Sequence, residues 1–132
     1  MKKVIIALLF GSLLVVSCKK ESCPAPETPT IVGFWGGKYG LAASYPTMGY
    51  SALFRSNGTV RFFDSNDTAA ASKAEGTYSI SGSTVAATYV YVGTTGQFSV
   101  SATVDAKFTF LEGTYGSGLN TTNRGMWFMN KK

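Results

Sequence analysis

Gln97-Phe98-Ser99-Val100-Ser101-Ala102-Thr103-Val104 is the stretch that decides the fold. Its apolar residues, Phe98, Val100, Ala102 and Val104, occupy every second position, and Ser99, Ser101 and Thr103 fill the gaps. Successive side chains of a strand point to opposite faces, so this segment reads as a strand with one face in a core and the other in water. Val85, Ala87, Tyr89 and Tyr91 repeat the pattern just upstream, with a less polar opposite face.

Outward from there, aromatic and β-branched residues recur in short runs separated by glycine-bearing turns, and nothing carries a long helical period. That is an all-β signature. Eight strands are expected: 31–39, 50–55, 59–64, 75–81, 84–92, 97–104, 107–115 and 125–131. In the seventh, Phe108 and Phe110 would share a face; in the last, Met126 and Phe128 would oppose Trp127 and Met129. Ser56-Asn57-Gly58 contains the Asn-Gly pair that a tight hairpin favours, and Ser81-Gly82-Ser83 and Gly93-Thr94-Thr95-Gly96 serve the next links. Short links make sequence neighbours spatial neighbours, so an antiparallel meander follows. Pairing the first strand with the last removes the exposed edges and closes an eight-stranded up-and-down barrel; a two-sheet β-sandwich is the alternative.

The N-terminus is of another kind. Lys2 and Lys3 precede an apolar run, Val4–Val16, interrupted only by Gly11 and Ser12. The run is shorter than the roughly twenty residues of a spanning helix and has the length of a signal-peptide core. Val15-Val16-Ser17-Cys18 resembles the bacterial lipobox. The resemblance implies cleavage after residue 17, acylation of Cys18, and attachment to a membrane through two or three acyl chains. Residues 18–30, with Pro24, Pro26 and Pro29, read as a semi-stiff tether that buries no core. Lys19, the residue after the lipidated cysteine, is not the aspartate associated with inner-membrane retention. The expected location is therefore the cell envelope at the outer membrane, on its periplasmic or surface face. Residues 31–132 form the barrel domain.

Composition narrows the function. The formal charge of +5 includes Lys2 and Lys3 and falls to +3 when they leave with the signal; the remaining basic residues of the domain are scattered. So small and dispersed a charge does not point to nucleic acid. Cys23 is the one thiol left beside Cys18, so no internal disulfide is expected. The chain has no histidine, which removes the imidazole base, the Ser-His relay and the ordinary zinc site. Glu75 and Glu112 are the two acids near strands that could form a carboxylate pair. No enzyme activity and no cofactor are expected.

Ile31-Val32-Gly33-Phe34-Trp35 opens the first strand with a G-x-W, and Gly-Thr-Tyr occurs at 76–78 and again at 113–115. In these features the domain resembles small lipocalin-like lipoproteins of the calycin type. The resemblance implies that Gly33 and Trp35 close one end of the barrel and that a late basic residue covers the tryptophan. Lys131 is the expected cover, because Arg124 falls at the opposite end. Gly33–Gly37 followed by Tyr45-Pro46-Thr47 also resembles the opening of nitrobindin haem barrels, which hold haem through a histidine that this chain lacks. Avidin-like biotin sites use several tryptophans, and only Trp35 and Trp127 are present.

The mouth should lie opposite Trp35, among the links after strands one, three, five and seven: 40–49, 65–74, 93–96 and 116–124. Tyr39, Tyr45, Tyr91, Tyr115 and Trp127, near those links, are the candidate ligand-binding residues for a small apolar or amphipathic molecule. The opposing expectation is a packed interior, with function as a structural or interaction module. Link 65–74 is polar and alanine-rich, the composition of a mobile tip. Its Asp67-Thr68-Ala69 resembles the acceptor motif of some bacterial O-glycosylation systems, with Thr68 as acceptor.

Overall fold

A computed structural model describes residues 28–132. The signal segment, Cys18, Cys23 and most of the tether lie outside the described residues. The strands are β1 (Gly33–Tyr39), β2 (Met48–Phe54), β3 (Thr59–Phe63), β4 (Lys73–Ser81), β5 (Thr84–Tyr91), β6 (Gln97–Val104), β7 (Phe110–Ser117) and β8 (Gly125–Lys131). Every neighbouring pair is antiparallel, and β1 pairs with β8, so the sheet closes into an up-and-down barrel rather than a sandwich.

A barrel of eight strands has an interior only just wide enough for side chains. Here large residues are matched with small ones across neighbouring strands. Trp35 and Phe62 both face Ala52, and Tyr78 faces Ala87. Three further aromatics face glycines: Tyr50 opposite Gly37, Tyr89 opposite Gly76, Trp127 opposite Gly113. At those glycines the neighbouring strand runs too close for any side chain. A Cβ on Gly76 would stand 1.9 Å from the Thr88 carbonyl oxygen, and one on Gly113 would stand 2.0 Å from that of Ser101. The two Gly-Thr-Tyr repeats are thus two copies of one device, a close strand approach that clears space for a ring.

Trp35 is fully buried and donates its indole N–H to the Ile31 carbonyl at 2.8 Å. The Phe54 ring meets it edge-on at 6.3 Å, and Lys131 Nζ lies 5.9 Å from its centroid. Lys131, which also bonds the Thr30 carbonyl, is therefore the cover at this end. The hairpins here are short. Arg55–Gly58 turns with Gly58 at φ 80°, and Ser81–Thr84 turns with Gly82 at φ 60°.

β1 begins two residues later than the residue pattern suggests, and β7 three residues later. Asp105 accepts hydrogen bonds from the backbone N–H groups of Thr109 and Phe110 and from the Thr109 hydroxyl, so residues 105–109 form a turn. Those bonds hold the Asp105 carboxyl at about 2. Phe108 sits in this turn at φ 54° with its ring against the core, while Phe110 lies outside against Phe128. The two phenylalanines do not share a strand face.

Truncating Trp35 to alanine is expected to cost roughly 3–5 kcal/mol in chemical denaturation. Gly76→Ala separates two accounts of the glycine. Freed of contacts, the change would stabilise by about 0.4–1 kcal/mol through the unfolded chain. Against the Thr88 carbonyl it should instead destabilise by about 1–3 kcal/mol.

Candidate functional site

Alternate links of a meander gather at alternate ends. Residues 40–47, 64–72, 92–96 and 118–124 surround the end opposite Trp35. There the rule of large against small lapses: Tyr89 faces Phe98, and Tyr39 faces Trp127. Between the rings is a cup of about 180 Å³ lined by Tyr39, Leu41, Tyr50, Tyr89, Tyr91, Phe98, Tyr115 and Arg124. Below it the barrel is filled by Phe62, Trp127, Phe54, Met129, Leu111 and Trp35, all almost wholly buried. The interior is thus both packed and pocketed, with a solid floor and a shallow mouth.

The floor of the cup is made by Tyr50 and Tyr89. Tyr50 stacks on Phe62 at 5.5 Å and 10°, and Tyr89 stacks on Phe98 at 5.6 Å and 14°. The Tyr50 hydroxyl donates to the Tyr89 hydroxyl at 3.1 Å. On the wall, Tyr115 donates to the Gly40 carbonyl at 3.2 Å. The Tyr39 and Tyr91 hydroxyls have no protein partner among the described residues. A shallower depression of about 570 Å³ shares Tyr39, Tyr91 and Phe98 with the cup and runs out to Asp64, Ser72 and Thr94.

Of the five residues singled out from the sequence, Tyr39, Tyr91 and Tyr115 meet in the cup. Trp127 is 2 % exposed and lies beneath it, edge-on to Tyr50 at 6.1 Å, with its indole N–H on the Thr114 carbonyl. Tyr45 is 75 % exposed and lines an outer groove with Pro46, Phe110, Met126 and Phe128. Tyr50, Tyr89, Phe98, Leu41 and Arg124 complete the cup without having been singled out. For Tyr50, Tyr89 and Phe98 the signal was the inward parity of the strand, which already put Tyr89 on the face of Tyr91; Leu41 and Arg124 lie on mouth-end links, where no parity applies.

Other expected features rearrange. Glu75 on β4 takes both Arg55 and Arg61 as partners. Partial burial pushes its carboxyl up, but hydrogen bonds from the two guanidinium groups outweigh this and hold it below its ordinary value. Glu112 stands on β7, three strands away, so the two acids form no pair. Among the described residues no three His, Cys, Asp or Glu side chains gather to hold a metal. The 64–72 link folds back onto the barrel instead of standing free. Asn66 accepts from the buried Ser51 hydroxyl at 2.9 Å and donates to the Gly37 carbonyl, and Asp64 accepts from Ser72 N–H at 2.8 Å. Thr68 is half-buried in this link, beside Asp67, whose carboxylate accepts from Ala69 N–H.

Burial raises the tyrosine hydroxyls of the cup: Tyr50 and Tyr91 well above the ordinary 10.0, Tyr89 to about 12. Unfolded tyrosines ionise near 10, so above that pH the unfolded chain holds fewer protons than the folded one. Stability should hold steady up to about pH 10 and then fall, with Tyr89 alone contributing a loss on the order of 2–3 kcal/mol by pH 12. Denaturant titrations across this range, with tyrosinate absorbance recorded in parallel, check it. Tyr50→Phe with Tyr89→Phe should flatten the fall.

Set against protein-family models, curated proteins and solved structures, the chain matches none of them.

Proposed function

We propose that this chain is a non-enzymatic lipoprotein of the bacterial cell envelope, anchored through Cys18, whose barrel mouth holds a small apolar or amphipathic molecule. The observation that carries the binding reading is the convergence of rings from β1, β2, β5, β6 and β7 on one cup over a filled floor. Rigid strands surrounded by links, with an apolar concavity and a few polar tips, form the usual setting of a small-molecule site. The volume is modest beside the 300–1,000 Å³ common for such sites, so the ligand is small or only partly enclosed. The anchor reading rests on the charge, apolar run and lipobox-like residues at 1–18. Because β1 begins at the Trp35 end, a tether from Cys18 reaches the barrel at its closed end, and the mouth is free to point away from the membrane.

A second reading has its own support. The mouth-end links carry Leu41, Tyr45, Val92 and Leu119, 56 %, 75 %, 71 % and 84 % exposed. A partner protein seated on these side chains would make the barrel an interaction module and the cup a socket for one of its residues.

Mass spectrometry of protein extracted from its native membrane should find lipid on Cys18, and Cys18→Ala should release the chain into the soluble fraction. A soluble mature protein with a different first residue would end the anchor reading. The same native intact mass, after allowance for lipid, tests Thr68 as a glycan acceptor: an excess lost in Thr68→Ala is the expected result. Small molecules that co-purify with the wild type and are lost with Tyr91→Ala would support the cup. A co-purifying protein lost with Leu119→Ser, with no small molecule retained, would favour the interaction module.

A further inference from the structure

Resting on the cup as a binding site, we infer that its ligand is a small aromatic acid, a single ring seated among the tyrosines with its carboxylate on Arg124. Size, wall chemistry and charge each lead there. The cup's 180 Å³ is close to the roughly 150 Å³ of an engineered protein cavity that takes up benzene. A long acyl chain or a polycyclic body would exceed it and stand out into solvent. The walls present both ring faces and ring edges. Tyr89 and Phe98 lie stacked, Tyr91 stands at 88° to Phe98, and Tyr39 is tilted 59° to Tyr50. Offset stacks and edge contacts are the geometries in which a further flat ring is held best.

Charge orients the ring. Arg124 is the one charged side chain lining the cup among the described residues. Its backbone N–H is fixed on the Tyr115 carbonyl at 3.1 Å, and its Nε donates to Ser117 Oγ at 2.7 Å. The two terminal guanidinium nitrogens have no protein acceptor among the described residues, where the ion pairs belong to Arg55 and Arg61. A guanidinium held by one nitrogen, with the planar fork left over, matches a carboxylate's two oxygens. The acid nearest the cup, Asp64, lies in the neighbouring depression on the β3–β4 side and is already engaged with Ser72. A ligand anion is thus drawn to the β7–β8 side and repelled from the other.

Isothermal titration of the full chain in detergent with benzoate and phenylacetate, and with the neutral isosteres benzamide and phenylacetamide, tests the assignment. The acids should bind about tenfold tighter than their amides, a difference that shrinks with added salt. Arg124 is exposed, so Arg124→Gln should keep the near-ultraviolet circular dichroism of the wild type while binding benzoate no better than benzamide. Equal affinity for acid and amide in the wild type would overturn the carboxylate assignment and leave the cup as a neutral-ligand site. Decanoate binding more tightly than benzoate would overturn the single-ring assignment. No heat from any of these compounds, with the fold intact, would remove the cup itself as a small-molecule site.

Discussion

Space inside an eight-stranded barrel is the constraint from which the rest follows. With so little room, each large ring needs a small residue beside it on the next strand. Gly37, Gly76 and Gly113 supply the extreme case, where the neighbouring strand itself moves into the place of a side chain. The rings of Tyr50, Tyr89 and Trp127 then lean across the vacated positions. Interior packing of this density is intolerant of added volume, which is why the glycines are as structural as the tryptophan they help to bury.

The same matching places the cup. Toward Trp35 the rings sit against small residues, Trp35 and Phe62 on Ala52 and Tyr78 on Ala87, and the barrel is solid. Toward the other end aromatic meets aromatic, at Tyr89 with Phe98 and at Tyr39 with Trp127. Two rings on adjacent strands cannot both occupy the axis, so the upper rings stand around it. Their hydroxyls, Tyr50 to Tyr89 and Tyr115 to Gly40, tie them in that arrangement. Pocket and plug are two outcomes of one packing rule, applied and then relaxed along the barrel.

Much of this was legible in the residues. Strict alternation made β6 readable to the residue, and the parity of a meander placed Tyr39, Tyr91 and Tyr115 at the mouth because they sit at or near strand ends. Tyr50 and Tyr89 were harder, since their depth depends on which residue faces them across the sheet, and register is not written in one strand alone. The Phe108-Thr109-Phe110 spacing resembled a strand, but the Asp105 side chain offers the backbone a competing set of hydrogen bonds and wins. Residues 65–74 looked loose by composition. One asparagine at 66, reaching Ser51 and Gly37, ties them down, and such a single long-range contact has no local signature. Arg124 was placed at the correct end by its position in the chain, yet its use there depends on the tyrosines around it.

Closure joins the first strand to the last: Trp35 lies beside Lys131, and Thr30 meets Lys131 across 101 positions of chain. Until β8 has been made, β1 has one bare edge and Trp35 lacks its cover. Local hairpins can form early, but the cooperative core waits for the most distant pairing in the molecule. A polypeptide that cannot lock its structure while it is still being synthesised remains threadable.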